Sequence, residues 1–153
     1  MHPKKVNVFY IAIACCLLLP FGLYAQDTGG SDIISGEQLR AVLENVNSWA
    51  AETAVFRKNA QNLTARELLE KANAIRKKFD PVMVLIATTE PASEYKKAAV
   101  LLCTGAKGVE LALWHYMLAT LAGSEALKDH GDVLLKAAVS ELNDATVLFS
   151  KLP

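Results

Sequence analysis

The side chains with the most chemical potential crowd into one short stretch: His115, Met117, then His130 with Asp129 and Asp132 on either side. A turn at Gly123–Ser124 would bring Met117 and His130 to about the same level on adjacent antiparallel helices. Methionine and histidine are a known axial pair for haem iron, and helices packed ~8–10 Å apart let both side chains reach one metal. A haem-binding or electron-transfer bundle with Met117 and His130 as ligands is therefore the alternative reading. Methionine is also an ordinary filler of core gaps, and the leading expectation is no cofactor and no metal. The stretch "KDHGD" (128–132) reads as a solvated helix start, because one helical turn cannot aim Asp129, His130 and Asp132 inward together.

Other chemistry lacks its residues. No Glu-x-x-His of a di-iron bundle occurs, and no HExxH, CxxC, CxxCH, GxGxxG or GxSxG. No nucleophile, base and orienting group stand together, so the chain is expected not to be an enzyme. A lone histidine such as His115, beside Trp114 and Tyr116, is expected to be structural.

These residues must be positioned by helices. "SGEQ" (35–38) is a capping box, with Ile34 and Leu39 spaced for a hydrophobic staple. Leu39, Val42, Leu43, Val46, Trp49, Ala50 and Thr53 follow with the helical period. "TARE" (64–67) is a second box with Leu63 and Leu68 as its staple. The stripe Leu68, Ala72, Ile75, Phe79, Val82/Met83, Ile86 keeps register through Pro81. That predicts one helix over about 65–88, kinked near the proline, and it predicts helix for "VMVLIA" (82–87), since a lone strand there would have no hydrogen-bond partner. A long helix is predicted over about 92–122, ended by Gly123, and a last one from Ser124 to about 150. Four helices with short turns give an all-α, up-down-up-down four-helix bundle. Arg57–Lys58 and "RKK" (76–78) are read as making the second helix basic, which ordinarily serves solubility.

The apolar run "GVELALWHYMLATLAG" (108–123) is cut by Glu110, His115 and Thr120, too short and interrupted to span a bilayer. Leu102, Ala106, Val109, Leu113, Tyr116, Met117 and Thr120 share a core face. Leu111 and Leu118 fall on the opposite side, where a solvated helix would carry charge. With Trp114 and His115 between them they form the candidate binding surface, for a protein partner or a homodimer; the competing reading is that the tether or a neighbouring helix covers the two leucines. A small apolar ligand held between helices is the other binding function expected of such a bundle.

Ahead of this domain, "MHPKKVNVFYIAIACCLLLPFGLYAQ" (1–26) has a basic start, an apolar run, Pro20 and Gly22 as breakers, and a small residue at Ala25. That is the layout of a secretory signal peptide over 1–25, cleaved before Gln26, with an uncleaved anchor as the alternative. Residues 26–35, "QDTGGSDIIS", are expected to be a flexible tether, and 36–153 the bundle. The expected location is secreted or periplasmic, with no membrane contact after cleavage. Loss of Lys4 and Lys5 leaves fourteen basic against sixteen acidic residues, which gives no electrostatic case for nucleic acid. Cys15 and Cys16 leave too, so Cys103 can form no intramolecular disulfide; in "LLCTGAKG" (101–108) it is expected to be a buried thiol among small residues that allow close helix approach. "NLT" (62–64) is a glycosylation sequon with meaning only in a eukaryotic source.

Overall fold

The computed structural model describes residues 33–152. The expected signal peptide and residues 26–32 of the expected tether lie outside the described residues. The fold is helical: α1 (Gly36–Asn59), α2 (Ala65–Lys77), α3 (Asp80–Thr88), α4 (Lys96–Ala122) and α5 (Glu125–Phe149). Short 3₁₀ turns occupy Ala60–Asn62 and Ser93–Tyr95. The short α3 continues α2, so the helices form four rods, with α4 and α5 the most extensively packed pair and α1 lying against both.

Helix starts follow the local chemistry. The Ser35 hydroxyl accepts from the Gln38 amide while the Gln38 side chain accepts from the Ser35 amide; Thr64 and Glu67 repeat the arrangement at α2. Each box satisfies two amides that a helix start otherwise leaves unpaired. The staple residues sit together in the core: Ile34 and Leu39 belong to one cluster, and Leu63 packs against the other, which holds Leu68. Ser124 caps α5 through the Leu127 amide, and Gly123 ends α4 at φ 62°, a left-handed conformation that costs glycine little.

Two expectations about elements need correction. The helix predicted over 65–88 is broken rather than kinked: Lys78 and Phe79 form a turn between α2 and α3. Pro81 cannot donate to the Lys77 carbonyl, so the last turn of α2 tightens and the Phe79 amide bonds to Arg76 instead, at 2.7 Å. Phe79 nevertheless stays in the core, its ring 4.2 Å from that of Trp49, which explains why the apolar register survives the break. Residues 82–87 are helical, as the sequence predicts. Second, the tether does not extend to residue 35. Ile33–Ile34 (β1) pairs in parallel with Glu90–Pro91 (β2), and Ile34 is buried. This two-residue bridge joins the segments that precede α1 and α4, so those helices start at the same end of the molecule.

The core has two layers. One gathers Leu39, Val42, Val46 and Trp49 of α1 with Phe79, Leu102, Val109, Leu142 and Phe149. The other lies toward the Gly123 turn and holds Phe56, Leu68, Ala72, Leu113, Tyr116 and Met117. Between α4 and α5 the backbones approach closely. A Cβ on Gly105 would stand 2.7 Å from Leu142, and one on Gly131 would stand 2.6 Å from the Tyr116 ring. Cys103 is a buried free thiol, and burial pushes its pKa up, away from the reactive thiolate. At the far end the Arg40 guanidinium donates to the carbonyls of Phe149 and Leu152, at 3.2 and 2.9 Å, and so caps α5.

Candidate functional site

The core face predicted for the third long helix is largely the buried face of α4: Leu102, Ala106, Val109, Leu113, Tyr116 and Met117 are buried, while Thr120 near its end is only half-buried. Leu111 and Leu118 are on the outer side, 42% and 46% exposed. Val100, 63% exposed, falls on the same line of the helix, eleven residues before Leu111. Leu121 adds a further exposed apolar group beside Leu118.

The two polar-edged residues between the leucines are less available than their positions suggest. Trp114 is half-buried against the second core layer, and the Arg76 guanidinium of α2 lies 5.9 Å from its ring centre. Arg76 also approaches Glu110 at 3.9 Å, so α2 borders the strip on that side. His115 turns toward α5. Its Nδ1 lies 2.8 Å from the Leu111 carbonyl, and its ring meets the His130 ring edge-on with centres 4.9 Å apart. Leu111 and Leu118 thus form the outer surface, while Trp114 and His115 form its two margins.

Met117 and His130 are not brought together. Met117 is buried with Phe56, Leu68 and Leu113. His130 stands against His115, and residues 115 and 117 point about 160° apart on a helix. The geometry gives the haem alternative no pair of axial ligands.

The strongest polar constellation spans three helices and was not read from the sequence. Arg57, in the last turn of α1, donates through Nε and Nη2 to both carboxylate oxygens of Asp132 on α5. The Tyr116 hydroxyl of α4 donates to the same carboxylate at 2.9 Å. Two expectations are corrected here. Arg57–Lys58 belong to the first helix and not the second, and Asp132 turns inward from its helix start rather than into solvent. The hydrogen bonds from Arg57 hold the Asp132 carboxyl below its ordinary range, against a smaller opposing effect of burial. Burial and the neighbouring carboxylate push the Tyr116 phenol upward, while the hydrogen bond to Asp132 pushes the Arg57 guanidinium up. Each group is therefore locked in the protonation state it already has at neutral pH, the opposite of what proton transfer requires. The cluster ties α1, α4 and α5 together at the second core layer. Beside it lies an open depression of about 370 Å³, edged by Leu135, Lys136 and Val139.

A second groove, about 510 Å³, runs between α1 and α2 and is lined by Val55, Phe56, Leu63, Ala74 and Ile75, with the Glu52–Lys78 ion pair also in its lining. Among the described residues, no group of three or more His, Cys, Asp or Glu is placed to hold a metal ion, and no helix is long and apolar enough to cross a membrane. Comparison with family models, characterised proteins and solved structures found no match.

Proposed function

We propose that this chain is an exported, non-enzymatic binding protein. A signal peptide over 1–25 delivers an up-down-up-down bundle to the periplasm or the extracellular space, where it works through the outer face of α4. One observation carries the reading: a helix whose inner face is sealed into the core keeps Leu111 and Leu118 each more than two-fifths exposed, with Val100 in line. Large apolar side chains aligned on one outer face mark a contact surface.

The occupant we assign is a second copy of the chain. Leu111 and Leu118 are placed symmetrically about the bond between Trp114 and His115. A two-fold axis through that point sets Leu111 of each copy against Leu118 of the other, the isologous pairing that closed dimers use. Full burial of a leucine is worth ~1.5–3 kcal/mol, and these four are already somewhat more than half covered. Their remaining exposure is worth about 3–5 kcal/mol, comparable with an association cost of ~4 kcal/mol or more, so the dimer must also bury Leu121, 46% exposed beside Leu118. Such a dimer is weak and concentration-dependent. Leu111→Glu with Leu118→Glu should leave helical content intact and abolish the association, read by light scattering and circular dichroism. If the double variant unfolds, the strip is core. Export is tested separately by mass spectrometry, which should find Gln26 at the N-terminus of the exported protein; an intact Met1 would identify an anchor.

The groove between α1 and α2 supports a second reading, uptake of a small apolar ligand. The groove is shallow and open, and the surface of its wall is mainly apolar. Val55→Arg should abolish the binding of a hydrophobic fluorescent probe if this reading holds.

A further inference from the structure

We propose that His115 and His130 form a two-histidine site for a divalent transition metal, clamping α4 to α5 beside the Gly123 turn. The two residues lie fifteen apart in sequence and match no metal motif; only the hairpin brings their rings to 4.9 Å. That separation fits shared coordination. With metal–nitrogen distances of ~2.0–2.1 Å, and ring centres ~1.1 Å behind the nitrogens, two imidazoles on one ion have centres about 5.2 Å apart at a tetrahedral angle and about 4.5 Å at a right angle. The edge-on angle between the rings is no obstacle, because each ring turns freely about its own metal–nitrogen bond.

A second feature supports the assignment. His115 Nδ1 is 2.8 Å from the Leu111 carbonyl, which can only accept, so Nδ1 carries the proton and the lone pair sits on Nε2. A backbone carbonyl that fixes the tautomer and orientation of a ligating imidazole is the usual outer partner in metal sites. Both rings are partly exposed, so an ion can enter without opening the core. Two neutral nitrogen donors select Zn(II), Ni(II) or Cu(II) over Ca(II) or Mg(II), and water fills the remaining positions. The site lies within one chain and does not rest on self-association.

The test uses the exported chain from Gln26 in a thermal melt with ZnCl₂ or NiCl₂ alone, at neutral to mildly alkaline pH. A ligand bound only by the folded state raises its midpoint. The wild type should show the rise, EDTA should reverse it, and His115→Ala and His130→Ala should each lose it. The Leu111→Glu/Leu118→Glu variant should keep it, which separates this site from the dimer. Electron paramagnetic resonance of Cu(II) bound to the wild type should show two imidazole nitrogens, a readout that does not depend on any variant folding. No metal-dependent shift in the wild type, an equal shift in both single variants, or fewer than two nitrogens would overturn the proposal.

Discussion

Replacing Gly131 with alanine sets two effects of opposite sign against each other at a place where the structure decides between them. In an exposed helix interior, alanine is better than glycine by ~1 kcal/mol. Gly131, however, lies where α5 crosses the Tyr116 ring. The added Cβ would stand 2.6 and 2.9 Å from two ring carbons and 3.3 Å from the His115 Cβ. Carbon atoms at rest are ~3.5–4.0 Å apart, so the ring or the helix must move by about an ångström. Tyr116 is almost wholly buried and has little room to yield. Overpacking of this kind costs ~1–3 kcal/mol. The movement also draws the Tyr116 hydroxyl away from Asp132, and a hydrogen bond to a charged group is worth ~1.5–3 kcal/mol. Net of the gain in helix propensity, Gly131→Ala should destabilise the chain by about 1.5–5 kcal/mol, measured by urea denaturation. In a Tyr116→Phe background the hydroxyl contribution is already gone, so the same substitution should cost about 1.5–3 kcal/mol less, a coupling that a double-mutant cycle isolates. A Gly131→Ala variant more stable than the wild type would mean that α5 does not approach Tyr116 as described.

Thr53 is fully buried in α1, and its hydroxyl has no hydrogen-bond partner among the described residues, so Thr53→Val should stabilise the fold by ~1–2 kcal/mol in urea denaturation; a loss of stability would show that the hydroxyl is satisfied. Asp132 predicts a pH dependence. Its folded pKa is depressed, chiefly by the Arg57 hydrogen bonds, so its contribution is fully present above the unfolded value of ~3.9 and is lost as pH falls through the folded value. Both side chains are about one-third exposed, which limits the ion pair to about 1 kcal/mol after screening. The stability difference between the wild type and Asp132→Asn should therefore be constant from about pH 5 to 8 and vanish in stronger acid; a difference that grows on acidification would contradict the assignment.

Much of the architecture was legible because it is written in short-range patterns. Both capping boxes and the stripe from Leu39 to Thr53 need only neighbours within a few turns, and the structure reproduces them. The side of α4 that carries Leu111 and Leu118 followed from its period alone. What the sequence concealed depends on contacts between distant segments. Pro81 announced a disturbance, yet whether α2 and α3 kink or break depends on how Phe79 seats against Trp49. Nothing near Ile33 reveals that its partner is Glu90. Arg57 and Asp132 are seventy-five residues apart, and each alone resembles a solvated charge at a helix end. A turn at Gly123 is enough to bring Tyr116 near Asp132 across the hairpin, but the addition of Arg57 requires knowing which side of α1 meets α5. The same ambiguity paired Met117 with His130, where side-chain direction on α4 instead pairs His115 with His130.

The central claim is that the outer face of α4 is a surface for a second copy of the chain. Sedimentation equilibrium of the wild-type protein over a wide concentration range tests it most directly. The account predicts a molecular mass that rises from one copy toward two as concentration increases, reversibly on dilution, with the Leu111→Glu/Leu118→Glu variant remaining at one copy throughout. A wild-type mass that stays at one copy at every concentration, or a dimer that persists in the folded double variant, would contradict it.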